Sequence, residues 1–533
     1  IESLKVRVYA AALVLAVLTF LLYSRTLTFD FVNWDDDVYV YENMRLSEFS
    51  LRSLAWFFTH PYFNSYTPLT MVSHAVDVAV WGVNPAGHHL TNVLLHVWNT
   101  LWVFVLSVMV FRRITGQNAE RASAGSVLLP SLIAAALFAW HPLRVESVAW
   151  ISDRKDLLCL SFLLPATAAY FRYVDASATK DRLRWYAVLF MLFVMACLSK
   201  TVAVVLPAVL VVLDIAVVKR SFSASLLEKL PFLLVSGVLS VVAVLVSPPL
   251  DQSDMFEVFT PLQRVLLPFA NVYFYLIKTL LPVGLSPIYP PHDEASSILY
   301  AFGFVATCVL TAWLLQRRTP LPLAAWLSYM ILVLPTSAAL QAVMQTTADR
   351  YTYLPSVALS FAAGGLLGYV MNGAGRFARQ TVMGITAVVL LTLAALSYRQ
   401  QSFWANSEAL WSRAAVMYPS MPLPHNNLGL ALEARGDLAG AKHEYSRAIA
   451  LKPDYIEAYI NLGNVLFVEG DMREAESIFR RAAQLAPHRA EVFNNLGILA
   501  KTQGKTHEAL QWLRRSVEVD STYARGYFNL AAL

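Results

Sequence analysis

Charge and cysteine are what this chain has least of. Only 14% of its 533 residues are Asp, Glu, Lys or Arg, while 57% are hydrophobic, and the mean hydropathy is +0.51. Soluble domains carry about 25% charged residues, so a wholly water-soluble chain is excluded and most of this one belongs in lipid. Its three cysteines, Cys159, Cys197 and Cys308, lie inside apolar runs without metal-ligand spacing. They read as small core residues and define no disulfide framework. The net charge is +5, spread in short basic clusters rather than one patch, which gives no sign of nucleic-acid binding. No small-residue cleavage site precedes Arg25, so the apolar stretch 8–23 reads as a first spanning helix and not as a signal peptide.

Long apolar runs are abundant, and nearly all fall before residue 400. A spanning helix needs about 20 residues, and windows near that length occur at 8–24, 90–111, 127–141, 156–174, 185–199, 202–218, 230–247, 265–281, 298–315, 321–336, 355–371 and 380–397. The positive-inside rule makes one face cytoplasmic: it carries Lys5 and Arg7, Arg112 and Arg113, Lys180 to Arg184, Lys219 and Arg220, Arg317 and Arg318, and Arg376 and Arg379. The loops 25–89, 142–155 and 337–354, rich in Asp, His and aromatic residues, then lie outside. A cytoplasmic N-terminus with the C-terminal domain outside requires an odd number of crossings. The window 265–281, with Pro268, Asn271 and Lys278 and a Pro-rich sequel, is expected to be re-entrant or interfacial, leaving eleven spans.

Residues 400–533 repeat. Asn-Leu-Gly or a near form recurs at Asn427, Asn461, Asn495 and Asn529, a period of 34 that is diagnostic of tetratricopeptide repeats (TPRs). Gly429, Gly463 and Gly497, then Gly436, Gly470 and Gly504, then Ala441, Ala475 and Ala509, and Pro453 and Pro487 keep the register. The expected units are a half-repeat 403–421 continuing the last membrane helix, repeats 422–455, 456–489 and 490–523, and a partial unit 524–533, which leaves open whether further repeats follow. Such arrays bind extended peptides along a concave face, and the Asn ladder lies on the helix lining it. Helix packing alone also explains asparagine at this position.

Chemistry concentrates in the outer loops. Trp34-Asp35-Asp36-Asp37 follows the first span, and adjacent carboxylates at a membrane surface repel one another and lose water, which raises at least one pKa and suits a general base. A solvated acidic loop or a Ca²⁺ site is the plainer alternative. His141, Glu146, Arg154 and Asp156 crowd a second loop, either contacting substrate or, for Arg154 and Asp156, forming an anchoring ion pair. His89, Asn92 and His96 share one helical face; zinc fits that spacing, but interhelical hydrogen bonds fit it better. Arg350, at the outer start of a span, can grip phosphate in bidentate fashion, and Lys200, at the tip of a helical hairpin, is either a second cation or a snorkelling lysine.

Trp34-Asp35-Asp36 with Asn43, Tyr66-Thr67-Pro68-Leu69, His89-Leu90-Thr91-Asn92 with His96, His141-Pro142 with Glu146, Arg154 with Asp156, Ser199-Lys200, and Asp349-Arg350-Tyr351-Thr352-Tyr353-Leu354-Pro355-Ser356 together resemble the transmembrane and TPR repeat-containing O-mannosyltransferase-like family and its bacterial relatives, within the GT-C glycosyltransferases. The chain departs from the family at Lys200-Thr201, where Lys-Glu is frequent, and at Tyr66-Thr67-Pro68, where Tyr-Arg-Pro is frequent; donor specificity is the property these touch. The resemblance implies an all-α fold: a polytopic GT-C-type domain over 1–399, with about 11 spans, followed by a TPR α-solenoid over 400–533. It implies inverting transfer of a sugar, mannose by analogy, from a polyprenyl phosphate to a hydroxyl, with a protein Ser or Thr as acceptor. Asp35 or Asp36 is then the base, and Arg350 and Lys200 are the phosphate ligands. His141, Glu146, Arg154, Asp156, Tyr351, Tyr353, His89 and Asn92 would contact substrate, and Asn427, Asn461, Asn495 and Asn529 the acceptor peptide. No cofactor or metal is expected, unless a diphosphate donor brings a divalent cation held by Asp35 and Asp36. The expected setting is a bacterial inner membrane with a periplasmic TPR domain, or an endoplasmic reticulum membrane with a lumenal one. A non-catalytic TPR scaffold and a polysaccharide ligase or polymerase are the competing readings.

Overall fold

The computed structural model describes residues 2–115, 124–246, 260–290, 296–317, 320–336 and 345–533; of the expected outer loop 337–354 the part 337–344, and of the basic clusters Arg318 and the side chain of Lys5, lie outside the described residues. Among the described residues the chain is helical apart from one isolated bridge between Tyr62 and Ser65. It divides into two compact units, Ile1–Ala405 and Asn406–Leu533.

The first unit is a polytopic helical membrane domain. Seven helices are long and apolar enough to span, and two bent pairs, 127–139 with 142–149 (55°) and 222–228 with 230–246 (58°), have the geometry of a broken span or of a re-entrant loop. Three shorter apolar helices, Val265–Leu280, Ala301–Arg317 and Pro320–Val333, complete the set. Every apolar window read from the sequence thus holds a helix, and length and composition alone support seven to nine crossings against the eleven expected.

Helix Pro85–Thr115 lies at the centre, packed on Glu2–Tyr23, Ala124–Ala139 and Arg154–Asp175. Its face carrying His89, Asn92, His96, Asn99 and Thr100 is buried, whereas Leu94, Trp98 and Val105 are exposed. In lipid this inverts the soluble pattern, because a polar group facing hydrocarbon is costly and one facing the bundle finds partners. The helices nearest the ends of the unit, Val6–Thr28 and Arg376–Trp404, are the least enclosed, with 17% and 11% of their apolar windows buried.

One crossing depends on glycine. A Cβ at Gly364 would lie 2.6 Å from the Pro130 carbonyl oxygen, and one at Gly368 2.6 Å from Pro130 Cγ. The pair, four residues apart on Ser356–Gly373, lets that helix meet Ala124–Ala139 backbone to backbone.

The second unit is a TPR array of antiparallel helices: Ser407–Met417, Pro422–Ala434, Leu438–Leu451, Ile456–Glu469, Met472–Leu485, Ala490–Thr502, Thr506–Val519 and Ala524–Ala531. A Cβ on Gly429 would meet the Tyr445 ring at 2.5 Å, and one on Gly497 the Leu513 side chain at 2.6 Å. The periodic glycine therefore marks where the two helices of a unit touch. The expected continuation of the last membrane helix is corrected: helix Arg376–Gln401 stops in a 3₁₀ turn at Ser402–Trp404, and Asn406 starts the next helix by accepting the Ala409 N–H at 2.9 Å. An N-cap asparagine imposes a break where a continuous helix would have none.

Candidate active site

Three loop segments meet at one end of the membrane unit. Asp36, 1% exposed, accepts the Val32 N–H on Oδ2 at 3.0 Å, and on Oδ1 the Ser152 N–H at 3.0 Å and the Ser152 hydroxyl at 2.5 Å. Burial nevertheless pushes its carboxyl up to about 7. Asp35 is half-buried and holds φ +65, a left-handed conformation that non-glycine residues rarely adopt. Burial raises its pKa, while the charges of Lys155 and Arg350 act to lower it. The two adjacent acids are thus distinct: one is committed to the scaffold and the other feels the charges of Lys155 and Arg350.

Trp150 links the segments. Its indole N–H donates to the Trp34 carbonyl at 2.7 Å, and the Arg350 guanidinium lies 5.2 Å from its ring. Glu146 holds Arg350 through the backbone N–H at 3.0 Å and the guanidinium at 2.6 Å, and a second guanidinium nitrogen donates to Gln345 at 2.7 Å. Lys200 pairs with Asp156 at 2.6 Å. Both cations flank the half-buried Tyr351 ring, Arg350 at 4.9 Å and Lys200 at 5.8 Å.

The anticipated cluster of His141, Glu146, Arg154 and Asp156 is divided among separate partners, and Arg154 and Asp156 are not an ion pair. Residues two apart on a helix point in nearly opposite directions. Arg154, fully buried, pairs with Asp77 at 2.6 Å and donates to Asn92 at 2.8 Å. Asn92 donates to the Val148 and Trp150 carbonyls at 3.3 and 3.2 Å. The Tyr353 hydroxyl is enclosed between His96 at 2.8 Å and Asn99 at 3.2 Å, and His141 bonds the Thr279 carbonyl at 2.9 Å. His89 is buried edge-on to Phe29. Arg154, Asn92, Tyr353, His141 and His89 are therefore framework, not surface from which a substrate could be held. Asp35, Tyr351 and Lys200 remain part-exposed, with the buried Arg350 against the same Tyr351 ring and with Glu146 and Asp156 as the carboxylates that seat the two cations.

Several contributors escaped the sequence reading. Arg144 donates to the Thr352 carbonyl at 2.8 Å, the Thr352 hydroxyl at 2.7 Å and the Ser356 hydroxyl at 2.7 Å, fixing the segment that carries Arg350. Ser152, Lys155 and Trp150 belong to the same turn. Their signal was density: after Trp150 and Ile151, Ser152 to Asp156 is an unbroken run of polar and charged side chains at the mouth of an apolar helix. Among the described residues no group of three His, Cys, Asp or Glu side chains is arranged to hold a metal ion.

Beneath this site lies an apolar cavity of about 100 Å³, lined by residues including Leu106, Leu160, Ala203, Leu354 and Phe361. Leu160 is one helical turn from Asp156, and Ala203 and Leu354 follow Lys200 and Arg350 by three and four residues. The opposite end of the unit gathers basic-loop residues into pairs: Arg113 with Asp175, Arg182 with Glu228 at 3.1 Å and Arg220 with Glu228 at 2.5 Å. Acidic-aromatic and basic loops thus occupy opposite ends of the helical layer.

In the array, Asn461, Asn495 and Asn529 are half-buried and donate to Asn426 at 3.1 Å, Asn464 at 3.2 Å and Asn494 at 2.7 Å. The ladder joins successive repeats and keeps one polar edge outward. Asn427, also half-buried, accepts from Asn426 at 3.1 Å.

Fold and site define a multi-pass membrane protein with a C-terminal TPR array. Models for the tetratricopeptide repeat and the TPR repeat match residues 454–522 and 434–470. Among curated relatives, the human protein O-mannosyl-transferase TMTC4 is 31% identical over 173 residues, which is 31% of this chain and 23% of that protein. The Drosophila melanogaster protein O-mannosyl-transferase Tmtc3 is 25% identical over 437 residues, 70% of this chain and 47% of that protein. The resemblance read from the motifs is therefore met by relatives of that name, and the chain spans less than half the length of these two. Among solved structures, ArnT from Cupriavidus metallidurans bound to undecaprenyl phosphate aligns over 90% of this chain and 80% of that one, at 16% identity and a TM-score of 0.40.

Proposed function

We propose that the chain is a glycosyltransferase that moves a hexosyl group from a polyprenyl phosphate to a hydroxyl. One observation carries this reading: a half-buried carboxylate of raised pKa, Asp35, lies under the field of Arg350, and an apolar cavity is lined by residues one turn on from Asp156, Lys200 and Arg350. Asp35 takes the proton of the acceptor hydroxyl as its oxygen attacks the anomeric carbon. The carbon–oxygen bond to phosphate breaks, and the electron pair leaves with the polyprenyl phosphate. Arg350 and Lys200 stabilise the charge that develops on that phosphate, and the cavity takes the polyprenyl chain. Attack opposite the leaving group inverts the anomeric centre. Asp36, tied to Ser152, positions Asp35 rather than acting itself.

The names of the relatives favour mannose as the sugar and protein Ser or Thr as the acceptor, with the half-buried asparagines of the array as the peptide contact. The basic end of the unit is then cytoplasmic and the Asp35 end faces the periplasm or lumen. A purified sample incubated with labelled polyprenyl-phosphate mannose and a Ser/Thr-rich peptide should yield mannosylated peptide by mass spectrometry. Absence of transfer to any hydroxyl acceptor, with equal complementation by wild type and Asp35→Asn in cells, overturns the enzyme reading in favour of a scaffold.

A further inference from the structure

Four consecutive charged residues, Asp153 to Asp156, open helix Arg154–Asp175, and successive side chains leave a helix about 100° apart. Arg154 is consumed by Asp77, and Asp156 by Lys200. Lys155 points elsewhere: its ammonium lies 5.3 Å from the Tyr39 ring and 5.8 Å from the Trp150 ring. It is half-buried, and among the described residues it makes no ion pair or hydrogen bond. Arg350 and Lys200, by contrast, each already hold a carboxylate at 2.6 Å.

An ammonium held between two aromatic faces is oriented without being neutralised, because ring quadrupoles attract a cation but leave its N–H donors open. Its charge is also the foremost positive influence on the candidate base, Asp35. A leaving phosphate monoester needs donors that are not spent on carboxylates. Resting on the proposed transferase reading, we infer that Lys155 is a catalytic residue that donates directly to the phosphate of the polyprenyl-phosphate donor, with Trp150 and Tyr39 as its cradle. Arg350 and Lys200 then form the fixed wall of the phosphate site, and Lys155 supplies the uncommitted donor on the side of the base.

The test compares binding of a short-chain polyprenyl phosphate with that of the matching uncharged polyprenol, in full-length protein, for wild type, Lys155→Met, Lys155→Arg and Arg350→Ala. Methionine retains the apolar stem against the rings; Lys155→Gln serves if Lys155→Met does not fold. Wild type should prefer the phosphate, Lys155→Met should lose at least about tenfold of that preference, and Lys155→Arg should keep most of it. The uncharged polyprenol should bind all four alike. If Lys155→Met discriminates as wild type does while Arg350→Ala does not, the assignment of Lys155 falls and the donor reading stands. If wild type itself shows no preference for the phosphate, the donor reading falls first.

Discussion

Asp36 is fastened to Ser152, whose backbone N–H and hydroxyl converge on one carboxylate oxygen at 3.0 and 2.5 Å. That clamp, closed by the Val32 N–H on the other oxygen, fixes the residue next to Asp35 and so holds Asp35 in its left-handed conformation. Adjacent acids with different duties should fail differently. Asp35→Asn should leave the melting temperature in detergent nearly unchanged and reduce transfer by about 10²-fold or more. Asp36→Asn places an amide N–H₂ against one of three donors, which should cost about 1–3 kcal/mol and lower melting temperature and transfer together. Matching melting curves for the two variants would contradict this division.

Asp35 must be ionised to accept a proton, and its pKa is raised by burial. Transfer should therefore fall as pH is lowered through a value above the ordinary aspartate pKa of about 4, an acid limb displaced toward neutrality. Lys155 opposes the rise, so Lys155→Met should move the limb further up. The measurement is kcat/KM against pH for wild type and Lys155→Met; a limb at or below the ordinary value removes Asp35 as the base.

Asp36 makes a second, separable pH prediction. Its folded carboxyl titrates at about 7, whereas an unfolded aspartate titrates near 4. The native state thus binds the extra proton between those values, and its contribution to stability is present at low pH and lost as pH rises through about 7. The melting temperature of wild type should decline across that window relative to Asp36→Asn, which has no proton to lose there.

The buried pair Arg154 and Asp77 lies behind the site, with side chains essentially excluded from solvent. Removing one partner strands the other charge, so Arg154→Met alone should destabilise by about 3–5 kcal/mol. Arg154→Met combined with Asp77→Asn should recover much of the loss. Thermal denaturation of the single and double variants decides it; equal loss in both would mean that Asp77 is satisfied from elsewhere.

How far sequence foretold structure follows from the range of the forces involved. Helix windows and the repeat period were legible because they are set by local composition and a fixed spacing, as at Gly429 and Gly497. That Asp35 and Arg350 belong to outer loops, close enough for the charge of one to act on the other, was suggested by family motifs and loop sidedness. What stayed hidden was partner choice. Arg154, Asp156, Glu146 and Lys200 all looked like substrate ligands, and only the packing of distant helices shows that Arg154 turns inward to Asp77 while Glu146 turns to Arg350. Tyr353 and Asn92 misled for the same reason: in a membrane bundle a polar side chain marks an interior hydrogen bond as readily as a binding site. The Gly364 and Gly368 crossing escaped notice because its counterpart, Pro130, lies far away in sequence.

The asparagine ladder admits a decisive experiment, because Asn461, Asn495 and Asn529 each already donate to a neighbouring repeat. One such neutral bond is worth about 0.5–1.5 kcal/mol, which is small beside the apolar contacts of Tyr445, Leu466, Phe479 and Leu496 that hold the repeats. Replacing the three asparagines with alanine should therefore lower the melting temperature of the array modestly and leave it folded. If their outward edges also hold an acceptor peptide backbone, the same variant should raise KM for a long Ser/Thr peptide by about tenfold or more. Transfer to a hydroxyl acceptor too short to reach the array should keep its wild-type kcat. A long peptide with unchanged KM would assign the ladder to repeat packing alone, and a loss with both acceptors would mean that the substitutions act on the membrane unit.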